Sequence, residues 1–129
     1  QQVAQAIEDF KINRKLRVLT VCGGQSLERQ IRSLERGIQV VVGTPGRIID
    51  LLERRKLDLS ELRWVVLDEA DEMLSMGFID DVKKILKQAP TERSTACFSA
   101  TMQRSRYRKS ITTQSSTDKN RAASVYDSP

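Results

Sequence analysis

Histidine is absent from all 129 residues. Imidazole therefore serves nowhere in this chain as base, nucleophile or metal ligand. Cysteine is scarce, with only Cys22 and Cys97. Two well-separated thiols build neither a disulfide framework nor a zinc site. They read as buried cysteines in a reducing, cytoplasmic setting. No apolar run approaches the ~20 residues of a membrane-spanning helix. The start also lacks the basic-then-apolar pattern of a secretory leader, so no membrane partner is expected. Methionine does not occur before Met73. The opening Gln1-Gln2-Val3-Ala4-Gln5-Ala6-Ile7 is already amphipathic, with Val3, Ile7 and Phe10 at helical spacing. The chain thus reads as a piece of something longer.

Apolar residues make up 39% and charged residues 30%, a globular composition of about one domain. The net charge of +5 is uneven. Residues 1–101 hold 16 basic and 15 acidic side chains, whereas residues 102–129 hold 6 and 2. A basic tail attracts nucleic-acid phosphates or is simply a solvated end, and charge alone favours the second reading.

Hydrophobic periodicity predicts strands at Arg17–Cys22, Ile38–Val42, Trp64–Leu67 and Ser94–Phe98. Helices are expected over residues 1–12, after Ser26, after Thr44, over 69–74 and over 79–87. Ser26 and Thr44 suit N-caps, Pro45 suits a first helical position, and Gly37 suits a left-handed helix end. Alternating strands and helices imply an α/β fold with a parallel sheet between helical layers. Beyond Met102 the pattern fails. Tyr107, Ile111, Val125 and Tyr126 are too few and too scattered to offset chain entropy, so this tail is expected to be disordered.

Four short segments follow the predicted strands. Asp68-Glu69-Ala70-Asp71 places carboxylates at the carboxyl end of an apolar strand, where open parallel sheets bind ligands. Asp68 there can hold Mg²⁺ through water, and Glu69 can orient or deprotonate an attacking water. Equally, an acidic first turn complements a helix dipole. Gly43-Thr44-Pro45-Gly46-Arg47 offers a helix N-terminus and a guanidinium to phosphate, or is an ordinary strand-to-helix turn. Gly23-Gly24 permits close backbone approach, or forms a plain turn. Ser99-Ala100-Thr101 brings two hydroxyls that can bond Asp71, or is a small polar turn. Arg29 and Arg32 read as a solvated face. Trp64 and the Met73, Met76, Phe78 group read as packing.

In this order, these four segments resemble the DEAD-box RNA helicases. The resemblance covers residues 1–102 and implies part of a first RecA-like domain of P-loop NTPase type, with 103–129 as a basic Ser/Thr-rich tail. It implies ATP and Mg²⁺ as cofactors and RNA as partner. By resemblance, Asp68 is the Mg²⁺-ATP carboxylate, Glu69 activates the hydrolytic water, and Asp71 couples to Ser99 and Thr101. Gly23, Gly24, Thr44, Pro45, Gly46 and Arg47 match the segments that grip the RNA sugar-phosphate backbone without reading sequence.

Departures from the family pattern are equally specific. No Gly-Lys-Thr phosphate loop and no adenine-reading Gln motif occurs here, and no second RecA-like domain. Residues Gln103-Arg104-Ser105-Arg106 stand where the family continues into a Pro-capped helix, so the tail reads as foreign, frameshifted or interrupted. The family's phosphate-loop strand is central in its sheet, so edges and apolar faces are expected to be exposed. Two functional readings follow: an enzyme fragment of an ATP-dependent RNA helicase, or a non-catalytic remnant that at most binds RNA weakly. Loss of an arginine finger alone slows phosphoryl transfer roughly a thousandfold or more. The 129-residue chain is expected to turn over ATP negligibly. Phosphate release with RNA present measures this, and rapid RNA-stimulated hydrolysis is the contrary result.

Overall fold

The computed structural model describes residues 2–10 and 15–99, with Phe10 defined by its backbone alone. The predicted disordered tail, Thr101 and the 102/103 boundary lie outside these residues. The chain divides into two compact units, Gln1–Asp58 and Leu59–Pro129. Each is an α/β unit built on a parallel strand pair.

The first unit contains α1 (Gln2–Phe10), β1 (Val18–Val21), α2 (Leu27–Glu35), β2 (Val40–Gly43) and α3 (Pro45–Glu53). β1 and β2 pair in parallel, from Val18 opposite Val40 to Val21 opposite Gly43. A parallel pair cannot close through a tight hairpin, and α2 makes the crossover. Ser26 caps α2, its hydroxyl accepting from the Arg29 N–H at 3.3 Å. Gly37 takes φ +78° and ends the turn beyond Glu35. The core gathers on Val21 and Leu51, both fully buried, with Leu52 beside them. In α1 the buried residue is Ala4, while Val3 is exposed.

The second unit contains β3 (Trp64–Leu67), α4 (Ala70–Ser75), α5 (Ile79–Lys87) and β4 (Ser94–Cys97). β3 and β4 are parallel, with Trp64 opposite Ser94 and Leu67 opposite Cys97. Leu67, Val82 and Leu86 form its core, with Val65 and Met73 packed against them. Strand side chains alternate between faces. Val65 and Leu67 therefore take the helical side, and Trp64 and Val66 the other. Trp64 is 68% exposed and Val66 59%, so the expectation that Trp64 packs is corrected by this alternation. Met76, at the end of α4, is 64% exposed, so the expectation that it packs is corrected too.

Neither cysteine is in the core. Cys22 is half-buried and Cys97 exposed, because each stands where its strand gives way to a loop. Partial enclosure still pushes the Cys97 thiol above its usual range. The ion pairs Arg54–Asp50, Lys56–Glu35, Lys83–Asp80 and Lys84–Asp81 are all solvent-facing and add little stability.

At Gly43 the end of β2 leaves no room for a side chain beside β1. A Cβ there would overlap Val21 Cγ2 and stand 2.7 Å from the Val21 carbonyl oxygen, a backbone atom that cannot step aside. Gly43→Ala is expected to destabilise the chain by about 1–3 kcal/mol, the range for overpacking. Urea unfolding tests it, and an unchanged midpoint would contradict the close approach.

Candidate functional site

The parallel registers bring the predicted segments to strand ends two at a time. In the first unit, Val21 opposite Gly43 sets the Gly23-Gly24 loop beside Thr44-Pro45-Gly46-Arg47. The Thr44 N–H donates to the Val21 carbonyl at 3.1 Å and closes this junction. Arg47 then reaches back across it. Its Nη1 donates to the Gln25 carbonyl at 3.2 Å and to Gln30 Oε1 at 2.8 Å. Gln30 in turn donates through Nε2 to the Cys22 carbonyl at 3.2 Å.

The two helix starts in this unit differ. At α2, Ser26 accepts from the Arg29 N–H and donates to Glu28 at 2.9 Å. A backbone hydrogen bond and then the Ser26 hydroxyl hold the Glu28 carboxyl below its usual range. That start is already served by its own anion. At α3, Thr44 makes no side-chain cap bond, so the expected hydroxyl cap is not formed. Pro45 has no N–H, and the remaining first-turn donors have no partner within the helix. This is the start better suited to an outside phosphate.

Two glycines here have no internal reason to be glycine. A Cβ on Gly23 or Gly46 would meet no atom within 4 Å, and neither residue has a positive φ. Gly24 differs, because its φ of +76° demands the left-handed region. Arg29 and Arg32 are exposed. Thr20, Gln25, Ser26 and Arg29 line an open depression of about 280 Å³ beside Gln30.

In the second unit, Leu67 opposite Cys97 places Asp68–Asp71 beside the end of β4. Two backbone bonds clasp these segments. Phe98 N–H donates to the Leu67 carbonyl at 2.7 Å, and Ala70 N–H to the Phe98 carbonyl at 3.0 Å. Ser99 follows directly and is half-buried, as is Asp71. Asp68 and Glu69 are exposed. Asp68 Oδ1 accepts from the Glu69 N–H at 3.0 Å, which orients the carboxylate. Glu69 sits at φ +50°, ψ +44°, a left-handed conformation that costs a non-glycine residue about 1–2 kcal/mol. Strain of this kind collects at functional turns. Among the described residues no cluster of three or more acidic or thiol side chains could hold a metal by itself. A cation at Asp68 would need most of its oxygen ligands from water or phosphate.

Sequence reasoning missed Gln25, Gln30 and the left-handed Glu69. Gln30 did leave a signal. It interrupts the stripe Leu27, Ile31, Leu34 at a position where an apolar residue is expected. Yet it is only 3% exposed.

A DEAD/DEAH box helicase family model matches residues 1–109. RNA helicase CrhR of Synechocystis is 70% identical over 104 residues, covering 81% of this chain and 21% of that protein. ATP-dependent RNA helicase CshA of Listeria monocytogenes is 54% identical over 101 residues, covering 78% and 19%. The chain thus spans about a fifth of the length of these curated relatives. Among solved structures, a DEAD box protein from Methanococcus jannaschii superposes with a TM-score of 0.75 at 47% identity, covering 80% of this chain and 28% of that one. A structure described as a hypothetical ATP-dependent RNA helicase from Sulfolobus tokodaii gives 0.76 at 42%, covering 86% and 33%.

Glu69→Gly is expected to keep or raise stability, by up to ~1 kcal/mol, because glycine relieves the left-handed strain. Thermal unfolding measures this, and a lowered midpoint would show that the carboxylate, rather than the backbone, holds the turn.

Proposed function

The chain belongs to the DEAD/DEAH box helicase family, and on that premise we propose that it supplies part of the first RecA-like domain of an ATP-dependent RNA helicase. In this reading residues 1–102 form the family segment and 103–129 a basic tail. Gly23, Gly24, Thr44, Pro45, Gly46 and Arg47 grip RNA phosphates and sugars. Asp68, Glu69, Asp71, Ser99 and Thr101 serve ATP hydrolysis and its coupling to strand separation.

One observation carries the RNA assignment. Gly23 stands in the loop after β1 and Gly46 in the first turn of α3, yet neither packing nor backbone conformation requires them to be glycine. Bare backbone there serves something that approaches from outside. The open amides of α3 and the Arg47 guanidinium suit that visitor to be a phosphate chain. Such contacts are indifferent to base sequence.

The nucleotide assignment rests on Asp68. Its carboxylate is exposed at a strand end and oriented by the Glu69 N–H. It suits a Mg²⁺ held through water with phosphate oxygens filling the remaining positions. The ion would neutralise phosphate charge during transfer. Glu69, exposed beside it, would accept a proton from water or orient it. No Gly-Lys-Thr segment lies within residues 1–129 to cradle the phosphates. In this reading the polypeptide alone is therefore competent to bind RNA and not to turn over ATP.

Gly46→Ala separates binding from folding. Within a helix, alanine in place of glycine stabilises by ~0.5–1 kcal/mol. The variant is expected to melt at or above the parent midpoint while binding single-stranded oligouridine severalfold more weakly by fluorescence anisotropy. Unchanged affinity would remove the basis of the RNA assignment.

A further inference from the structure

Gln30 is the one buried polar side chain among the described residues, 3% exposed. A buried amide is disfavoured against a methionine or leucine of similar size unless its hydrogen bonds are met. Here they are met by three partners, two in the loop after β1 and one in α3. Its Nε2 donates to the Cys22 carbonyl, just before Gly23-Gly24, and at 3.5 Å to Gln25 Oε1. Its Oε1 accepts from Arg47 Nη1, in the first turn of α3. Neither a carboxylate nor an ammonium could both donate to the carbonyl and accept from the guanidinium.

We propose that Gln30 is a positioning residue, whose buried amide locks Arg47 to the Gly23-Gly24 loop and so presets the surface that meets RNA phosphates. This rests on the RNA-binding reading above. The physical reason is entropic. A free arginine side chain loses about 2 kcal/mol of rotamer freedom when immobilised. Here Nη1 is held by the Gln25 carbonyl and Gln30 before any ligand arrives. Among the described residues, Nε and Nη2 of Arg47 make no other hydrogen bond. That leaves one edge of the fork for two anionic oxygens. Gln30 itself is buried and touches no ligand.

A double-mutant cycle on the 129-residue chain tests this, using Gln30→Met, Arg47→Ala and the pair. Affinity for fluorescein-labelled oligouridine is read at one low salt concentration, with thermal unfolding alongside. Methionine keeps the volume and removes all three links. Gln30→Met is expected to weaken binding about fivefold when Arg47 is present and less than twofold when it is alanine, as coupled neighbours do. Affinities are compared at a temperature where thermal unfolding shows every variant folded, because the unpaired partners of Gln30 cost stability. Gln30→Glu is the second arm, keeping the acceptor for Arg47 but losing the donor to Cys22. It should weaken binding in the same Arg47-dependent way. Equal losses in both Arg47 backgrounds, or unchanged affinity, would overturn the positioning role while leaving the RNA reading intact. A parent chain that fails to bind the RNA would overturn the RNA reading and the positioning role together.

Discussion

Parallel strand pairing is the constraint on which both units depend. Two strands that run the same way cannot be joined by a tight turn, so each pair needs a helical crossover. The loops that follow the two strands must then emerge at the same edge. Four residues on each strand suffice. Val21 opposite Gly43 brings Gly23-Gly24 to Thr44–Arg47, and Leu67 opposite Cys97 brings Asp68–Asp71 to Phe98 and Ser99. Segments remote in sequence become neighbours through a backbone ladder, before any side chain contributes.

The side chains then finish the two junctions differently. The first is closed by a guanidinium and a buried amide, and its two exposed glycines leave backbone uncovered. The second is closed by backbone alone, Phe98 to Leu67 and Ala70 to Phe98, and its carboxylates stay in solvent at the end of β3. Holding Glu69 left-handed is the evident strain in that turn. The next residue, Ala70, donates to the Phe98 carbonyl, and the Glu69 carbonyl accepts from Glu72 and Met73. In the proposed reading, the junction closed by Arg47 meets RNA and the one bearing the carboxylates meets the nucleotide.

Much of this was legible from the residues. β3 was expected at Trp64–Leu67 and α5 at 79–87, both as observed. Ser26 and Gly37 ended their elements as local chemistry requires. These features depend on neighbours within a few residues, which periodicity and capping report. The exposure of Trp64 was hidden because its strand is apolar throughout, which leaves no alternation to show which face is covered. Cys97 was taken for a core residue because free cysteine commonly is one. The Arg47–Gln30 link joins residues 17 apart, and Arg47–Gln25 residues 22 apart. No local rule reaches that far. The candidate site residues were proposed from their order along the chain, and the register shows which of those segments become neighbours.

The central claim is that RNA meets the paired loops of the first unit. Amide chemical-shift mapping of the 129-residue chain during titration with oligouridine tests it most directly. The account predicts that the largest shifts fall on Gly23, Gly24, Gly46 and Arg47, with smaller ones at Cys22 and Gln25. Shifts confined to the basic residues beyond 102, with those loop amides unmoved, would contradict it.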